Sequence, residues 1–302
     1  MPVETRMIAV GHAALDHIYR INAFPAEPTK VRALEAIEVG GGMAANAAVA
    51  ASRLGAKVEL WSRVGDDNSG SIIRADLKAE KVDIRAVQVF DGSRSSTSAI
   101  IVDGRGERLI VGMRDTAIPS ETNWLPTERV KGASVVLADL RWLEATRTVL
   151  TRARLEGVPS VLDADLGARE ALPDLLRMVD YAVFSAPALR EFSAAASDEA
   201  RLDHVLSLGP RHAGVTLGGD GYLWRDAEGG GRQAGFDVDV VDTTGAGDAF
   251  HGAFALAIGE KCPMPEIARF ACAVAALKCT RLGSRAGLPS RRDVDAFLLS
   301  RG

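Results

Sequence analysis

Residues 240–254 read VVDTTGAGDAFHGAF, and this stretch decides the fold. The β-branched run Val238–Val241 predicts a strand edge, and from Phe250 onward apolar residues recur at helical spacing. Between them, Gly245 and Gly247 allow a tight turn and a close approach of the backbone to a ligand. A strand, a glycine turn and a helix in succession place free backbone N–H groups at a helix N-terminus, which binds anions.

Asp248 stands on this anion-binding turn, where a carboxylate repels an anion unless it serves another purpose. A carboxylate beside a transferring phosphoryl group can deprotonate the attacking hydroxyl, while the N–H groups of residues 245–248 stabilise the developing charge. The alternative is an ordinary helix cap, because Asp is favoured in the first turn of any helix. The pattern predicts phosphoryl transfer with Asp248 as the base, and leaves the plain cap open.

The composition is that of a globular chain. It has 302 residues, of which 47% are hydrophobic and 25% charged, and a net charge of −4. The length supports one large α/β core with an appendage, or two domains. The bulk charge points to neither nucleic acid nor a membrane surface as a partner. Three cysteines, no signal-like start and no apolar run of about 18 residues favour a cytoplasmic location.

Short apolar runs alternate with helical patterns along most of the chain. Such alternation predicts a mainly parallel sheet with right-handed crossovers, whose ligands bind at the carboxyl ends of the strands. Asp16 follows the first run, Met7–Gly11, and so lies near such an end. The other predicted strands are Val58–Val64, Val135–Leu140, Ser160–Asp163, Tyr181–Ser185, Ala213–Leu217 and Tyr222–Arg225.

Two segments interrupt this alternation. Within residues 16–39, the pieces His17–Ile21 and Val31–Val39 have strand-like residues and flank two prolines. Within residues 96–115, a strand, the turn DGRG and a second strand form a hairpin pattern, since Asp-Gly is a strong hairpin signal. Together the segments predict a small sheet outside the main fold.

The string DTTGAGDAF at residues 242–250 resembles the signature near the C-terminus of the ribokinase/PfkB family of carbohydrate kinases. The resemblance extends over the whole chain. It implies a single α/β domain of residues 1–302, with a three-layer α/β/α arrangement and a β-sheet lid formed by about 16–39 and 96–115. It also implies ATP and Mg²⁺ as cofactors, K⁺ as a further candidate, a small-molecule sugar substrate and a homodimer formed through the lid.

The same resemblance assigns roles to individual residues. Catalysis would rest on the backbone of Gly245, Ala246 and Gly247 and on the carboxylate of Asp248. Sugar hydroxyls would be held by Asp16, Gly41, Gly42 and Asn46. The nucleotide would lie against Thr216, Gly218, Gly221 and Cys279, and a monovalent-cation loop would include Asp242, Thr244 and Gly283.

Within this family the chain is most similar to the sulfofructose kinases, through LADLRW at residues 137–142 and KCTR at residues 278–281. That likeness makes Arg141 a candidate to bind an anionic group of the sugar by forked hydrogen bonds. A surface salt bridge is the alternative for this arginine. A primary hydroxyl of a ketose or related sugar would be the acceptor, with 6-deoxy-6-sulfofructose, fructose, its phosphates, ribose and other ketose derivatives all open.

Two departures from the family pattern are visible. Met43 follows the glycine pair where the family commonly has Lys, which favours a different subset of substrates. Residues 185–188 read SAPA where the family usually has N-x-x-E, a motif that helps to place Mg²⁺ and phosphate. The second departure supports an alternative of another class, a non-catalytic sugar- or nucleotide-binding regulator that retains the fold.

A dinucleotide-binding enzyme is a further alternative. Gly40, Gly42 and Ala45 fit the G-x-G-x-x-A fingerprint, and Glu59 follows nineteen residues after the first glycine. However, Glu59 lies near the start of its predicted strand, whereas a ribose-binding acid lies near the end. No P-loop, protein-kinase or G-x-S-x-G motif is present in the sequence.

Overall fold

A computed structural model describes residues 4–115 and 117–301 of the chain. In chain order its elements are β1 (Arg6–Val10), β2 (Ala14–Arg20), β3 (Glu35–Gly41), α1 (Met43–Arg53), β4 (Lys57–Gly65), α2 (Asn68–Ala79), β5 (Asp83–Phe90), β6 (Ser96–Val102), β7 (Arg108–Met113), β8 (Val135–Asp139), α3 (Leu143–Glu156), β9 (Ser160–Ala164) and α4 (Leu172–Leu176). They continue with β10 (Tyr181–Ser185), α5 (Ala186–Phe192), α6 (Asp198–Ser207), β11 (His212–Thr216), β12 (Tyr222–Asp226), β13 (Gly231–Gln233), α7 (Ala246–Gly259), α8 (Met264–Lys278) and α9 (Arg291–Leu299). Two 3₁₀ turns, Thr127–Gly132 and Gly218–Asp220, complete the set.

The main sheet has nine strands in the order β13-β12-β11-β10-β9-β8-β1-β4-β5. All neighbours are parallel except β11–β12 and β12–β13, which are antiparallel. Seven strands of the main sheet are therefore parallel, and their carboxyl ends lie at one edge of the sheet. These strands are β1, β4, β5, β8, β9, β10 and β11. The strand order extends from β1 in both directions, so right-handed βαβ crossovers place helices on both faces of the sheet.

The strands of the main sheet are buried on both faces, which produces three layers. Along β1, Met7 and Ala9 belong to the core shared with α1, α7 and α8. Ile8 and Val10 belong to a separate core under α3. Successive side chains of a strand point to opposite faces, so a continuous apolar run such as this one is buried between two helical layers. The observed architecture is the predicted three-layer α/β/α arrangement.

A separate sheet of four strands has the order β3-β2-β6-β7. β2 pairs antiparallel with β3 and parallel with β6, while β6 pairs antiparallel with β7. Its inner face packs through Ile18, Ile100 and Val102. The chain passes from β1 to β2 through residues 11–13 alone, so the start of this sheet is held against the carboxyl end of the main sheet.

The strand predicted for Val238–Val241 is wrong. These residues form an extended segment without a strand partner among the described residues, and the side chains of Val240 and Val241 are 59% and 47% exposed. The backbone N–H groups of Val241 and Asp242 both donate to the carbonyl of Cys279 instead. β-branched residues favour extended backbone, but a strand also needs a neighbour for its ladder, and the preceding edge strand ends at residue 233.

The dinucleotide-binding alternative is also wrong. The glycine run at residues 40–42 ends β3 of the small sheet, so it is not the first turn of a βαβ unit in the main sheet. Glu59 accepts hydrogen bonds from Trp61 Nε1 at 3.0 Å and from Arg129 Nη1 at 2.6 Å, so no ribose is needed to explain it. In the described part of the chain, no helix has the length and apolar character needed to cross a membrane.

Candidate active site

The first turn of α7 follows the carboxyl edge of the main sheet. Its N-cap, Gly245, has φ 75° and lies close to Ser284, so a side chain here would be strained and crowded. The N–H of Ala246 donates to the carbonyl of Thr243 at 3.2 Å and closes the turn, so the prediction that it is a free donor for catalysis is wrong. The N–H groups of Gly245, Gly247 and Asp248 have no backbone acceptor among the described residues. They form a nest of donors with the positive end of the helix dipole behind it.

The carboxylate of Asp248 lies at the same turn. Asn46 Nδ2 donates to Asp248 Oδ2 at 2.7 Å. Burial raises the pKa of Asp248 to about 7, Asn46 opposes that rise, and the carboxylates of Asp16 and Asp139 add to it. A carboxylate with a pKa near neutrality is suited to accept a proton at physiological pH.

Arg285 controls which way the Asn46 amide points, and sequence reasoning did not single it out. Arg285 Nε donates to Asn46 Oδ1 at 3.0 Å, so the amide oxygen is occupied and the NH₂ group faces Asp248. The guanidinium is only 3% exposed and forms an ion pair with Asp76. An arginine in a loop of charged and small residues carries no local sign of this role, because its partners are more than 200 residues away.

Four of the five predicted sugar-binding residues line one cavity of about 510 Å³ together with Asp248; they are Asp16, Gly42, Asn46 and Arg141. The small sheet covers this cavity with residues of β6 and β7, among them Ser98 and Gly112. Gly41, the fifth, lies behind Asp16: a Cβ there would come within 2.1 Å of the Asp16 carboxylate. Gly41 therefore makes room for Asp16. Burial raises the pKa of Asp16, and a hydrogen bond from Ser98 opposes the rise.

A second cavity, of about 210 Å³, lies between β11, the segment after β13 and α8. All four residues predicted to bind the nucleotide line it, namely Thr216, Gly218, Gly221 and Cys279. Gly221 has φ 93°, and a Cβ there would lie 2.0 Å from the carbonyl of Gln233. The walls are largely apolar, with Phe236 and Phe250 among them. Ala246 and Gly247 line this cavity as well, so the turn of α7 joins the two cavities.

The residues predicted to form a cation loop lie together, but the Asp242 carbonyl and carboxylate oxygens already accept hydrogen bonds from protein groups. Asp242 Oδ1 accepts from Thr244 N at 2.8 Å, and Oδ2 accepts from Gly283 N at 2.8 Å. The ammonium of Lys278 donates to the Asp242 carbonyl at 2.6 Å. Thr244 Oγ1 is buried and has no hydrogen-bond partner within the described ranges. Lys278 was quoted in the sequence motif KCTR but was given no role.

A third cavity, of about 480 Å³, adjoins the sugar cavity and shares His12, Arg114 and Arg141 with it. Arg63 lines it from β4, held by Pro119 O at 2.7 Å and packed 4.3 Å above the Trp142 ring.

Arg141 forms a salt bridge and also lines the cavities, so it fits both of the alternatives considered, a salt bridge and a binding residue for an anionic group of the sugar. Its guanidinium lies 3.5 Å from Asp165 and donates to the carbonyl of Leu166 at 3.0 Å, yet it also lines both cavities. Arg63, Arg114 and His12 were not predicted, because the three lie on separate elements. The only local sign for Arg63 and His12 was their place at or after a strand end.

Asp139 connects the backbone segments at the base of these cavities. The sequence analysis did not predict this role. Its carboxylate accepts from the backbone N–H groups of His12 at 2.8 Å, Ala44 at 3.1 Å and Arg141 at 2.8 Å. It thereby ties the ends of β1 and β8 to the start of α1. Burial raises the pKa of Asp139, while these hydrogen bonds oppose the rise.

Residues 185–188, which read SAPA instead of N-x-x-E, form the start of α5. Ser185 caps α5, since its Oγ accepts from Ala188 N at 3.4 Å, and it donates to Asp165 Oδ1 at 2.8 Å. Asp163 is buried near His251 Nε2, at 3.5 Å, and burial with the charge of Asp248 raises its pKa well above the usual value. No group of three or more His, Cys, Asp or Glu residues within the described residues is arranged to hold a metal ion.

Comparison with known proteins agrees with this geometry. The chain is 29% identical to the ribokinase of Bacillus subtilis over 96% of this chain and 98% of that protein. It is also 29% identical to an ATP-dependent ribose-1-phosphate kinase of Halopiger xanaduensis, over 98% of this chain and 99% of that protein. A crystal structure of a ribokinase-type protein from Agrobacterium tumefaciens superposes with a TM-score of 0.95 at 35% identity, covering 99% of this chain and 98% of that one. The model of the pfkB family carbohydrate kinases matches residues 4–291, and the chain therefore belongs to that family of ATP-dependent sugar kinases.

Proposed function

We propose that the protein transfers the γ-phosphate of ATP to a primary hydroxyl of a sugar, with Asp248 as the base. The observation that carries this is the position of the Asp248 carboxylate on the turn shared by the two cavities, with a pKa of about 7. A hydroxyl held in the larger cavity can give its proton to Asp248 as it attacks. The N–H nest of α7 faces the junction of the cavities, where negative charge develops on the transferring group.

The sugar is held by groups that accept and donate hydrogen bonds on one wall. Asp16 accepts from sugar hydroxyls, and Asn46, which lines the same cavity, donates to the sugar as well as to Asp248 Oδ2. We propose that the small sheet, residues 16–39 and 96–115, is a lid over this wall. A lid excludes water, which would otherwise compete with the sugar as phosphoryl acceptor.

The apolar cavity takes the adenosine of ATP, and the phosphates extend toward Gly247. Mg²⁺ supplies charge neutralisation of the phosphates when bound, and in the absence of N-x-x-E we propose that it is held mainly by them. Asp165 is the carboxylate best placed to assist, since it lines the larger cavity and Ser185 fixes one of its oxygens. Three free thiols are compatible with the expected cytoplasmic setting.

The arginines of the third cavity favour a sugar that carries an anionic group. Three guanidinium groups on β4, after β7 and after β8 converge on His12. Burial, assisted by these charges, lowers the pKa of His12 to about 3. The imidazole is therefore neutral and adds no cation of its own. Asp165 and Asp115 offset part of the charge, but Asp115 is already held by the N–H groups of Arg94 and Ala117.

The name of the Halopiger relative, a ribose-1-phosphate kinase, supports an anionic substrate. The ribokinase relative supports neutral ribose as the second candidate. We propose a phosphorylated or sulfonated ketose or pentose as the preferred substrate, with 6-deoxy-6-sulfofructose as one member of that class.

A homodimer through the lid is a further proposal. Leu109, Ile110 and Val111 of the edge strand β7 are each at least half exposed, which is unusual for three successive apolar residues. Sedimentation of the wild type and of a Val111→Lys variant tests this. A dimer that persists unchanged in the variant contradicts the lid interface.

The substrate experiment is ADP release with Mg²⁺ across ribose, fructose, ribose 1-phosphate, fructose 6-phosphate and 6-deoxy-6-sulfofructose. We expect kcat/KM to be highest for an anionic member. Arg114→Gln should then raise KM for that sugar about 10- to 100-fold, since a hydrogen bond between charged groups contributes about 1.5–3 kcal/mol. The matched control is Arg292→Gln, which removes an exposed arginine on α9.

Each outcome of this panel decides between the candidates. A preference for neutral ribose that Arg114→Gln leaves unchanged keeps the kinase and rejects the anionic substrate. ADP release with none of the sugars contradicts the proposed acceptor class.

A further inference from the structure

Lys278 lies wholly inside the protein, in the last turn of α8, with no exposed surface. Burying an ammonium group is costly unless an opposite charge and hydrogen bonds compensate for lost water. Its Nζ donates to the carbonyl of Asp242 at 2.6 Å and lies 4.0 Å from Asp242 Oδ2. The carboxylate of Asp242 is 1% exposed, so the two charges form a buried pair.

This pair sits under the loop that leads into the N–H nest of α7. The Asp242 carboxylate accepts from Thr244 N and from Gly283 N, both at 2.8 Å. It thus joins the segment before α7 to the segment after α8. Arg108 of the small sheet reaches the next residue, donating to the hydroxyl of Thr243. The Lys278 ammonium at Asp242 therefore stabilises the backbone segment that leads to Gly245, the N-cap of α7.

The residues at this loop do not fit a monovalent cation. Such an ion replaces its hydration shell with several carbonyl or carboxylate oxygens. Here the carbonyl of Asp242 already accepts from an ammonium, and both carboxylate oxygens accept from N–H groups. At Gly283 the N–H group points to the Asp242 carboxylate and occupies one of its oxygens. The unpartnered hydroxyl of Thr244 is a single ligand, and a K⁺ ion beside it would be repelled by Lys278.

We propose that the Lys278 ammonium, paired with Asp242, supplies the positive charge that a bound monovalent cation would supply at this loop, so that the enzyme needs no K⁺. The proposal replaces the expectation of a K⁺ site at Asp242, Thr244 and Gly283. It goes beyond the proposed function, which concerns the sugar and the base. Of the experiments below, only the kinetic measurement depends on the proposed sugar kinase activity.

The first experiment uses no substrate. Thermal unfolding of the wild type is measured in KCl and in tetramethylammonium chloride at equal ionic strength. A ligand that binds only the folded state raises the midpoint by mass action. We expect equal midpoints for the wild type in the two salts. A K⁺-specific rise in the wild type overturns the proposal, whatever the sugar substrate proves to be.

The second experiment uses Lys278→Met, which keeps the length of the side chain and removes the charge. We expect a lower midpoint in tetramethylammonium chloride and weaker binding of MgADP by calorimetry. Lys78→Met, an exposed lysine in the last turn of α2, is the matched control. A folded Lys278→Met protein that binds MgADP as tightly as the control contradicts the role of the ammonium.

The kinetic arm separates this proposal from the proposed function. With a sugar that the wild type phosphorylates, the turnover in the two salts should agree within about twofold. Activation by K⁺ of more than fivefold overturns the proposal while it leaves the kinase assignment intact. Failure to phosphorylate any sugar bears on the acceptor class alone, because the unfolding and MgADP measurements still decide the role of Lys278.

Discussion

Two anion-attracting regions of the molecule differ in how they are built. The nest consists of the backbone N–H groups of Gly245, Gly247 and Asp248 from one turn, with the dipole of α7 behind them. The third cavity, called the arginine pocket below, brings together His12, Arg63, Arg114 and Arg141 from four places in the chain. The first needs glycines and a helix start, which are local properties. The second needs four side chains to meet, which only the packed sheets provide.

The difference has a chemical consequence. Backbone donors are positioned by the helix itself, so their geometry can serve a transition state that every substrate of the enzyme shares. Side-chain cations can be exchanged without changing the fold, so they are suited to distinguish one substrate from another. Substitutions at the nest should therefore reduce turnover for all sugars, whereas substitutions in the arginine pocket should change preference among sugars.

The strongest test of the nest is Asp248→Asn. Removing a positioned base typically lowers the rate by about 10²–10⁴-fold, or about 3–5 kcal/mol of barrier. We expect kcat to fall by that amount for every sugar, with MgADP affinity retained in calorimetry. Near-wild-type turnover in a folded variant would reject Asp248 as the base.

The stability of that variant provides an independent check. Because the folded-state pKa of Asp248, about 7, lies above its ordinary value of 3.8, the ionised carboxylate destabilises the fold. The destabilisation is absent below about pH 4 and complete above about pH 7. Asp248→Asn should therefore unfold at a higher temperature than the wild type at pH 8, and the difference should shrink as the pH falls toward 5.

A smaller effect is expected from a matched glycine pair within α7. A Cβ on Gly247 would meet no heavy atom of the described residues within 4 Å, so Gly247→Ala should fold normally. The methyl group would enter the space proposed for the transferring phosphate. We expect kcat/KM for ATP to fall roughly 10- to 100-fold, as displacements near 1 Å can do.

Gly252 provides the contrast, because a Cβ there would lie 2.4 Å from the carbonyl of Ala47 in α1. Gly252→Ala should lower stability by about 1–3 kcal/mol in denaturant unfolding. Its kcat at a temperature where it is folded should stay close to that of the wild type. If Gly247→Ala is as active as the wild type, the phosphate does not occupy the nest.

The smallest effect concerns the pH dependence of kcat/KM. The hydrogen bond from Asn46 lowers the pKa of Asp248, so Asn46→Ala should let that pKa rise. The base is active when ionised, and the acid limb of the profile, expected near pH 7, should therefore move to higher pH. Loss of sugar affinity alone would raise KM and leave the limb in place, which distinguishes the two roles of Asn46.

The sequence predicted the elements that local chemistry controls. The glycine turn, the start of α7, the hairpin at residues 103–106 and the alternating strands and helices all appear near their predicted positions. The strand at Val238–Val241 failed because a strand also depends on a neighbour. The glycine run at residues 40–42 also fitted a dinucleotide-binding fingerprint, an alternative that only the position of Glu59 counted against until its sheet was known.

By itself, the sequence determined the family, the parallel α/β core and the residues that follow each strand, since periodicity and glycine turns express backbone geometry within a few residues. The tertiary structure decided what those residues contact. Arg285 orients Asn46 across 239 positions, Lys278 pairs with Asp242 across 36, and three arginines surround His12. Hydrogen bonds and charges act over a few ångströms in space, so their partners are set by how the chain packs and not by distance along it.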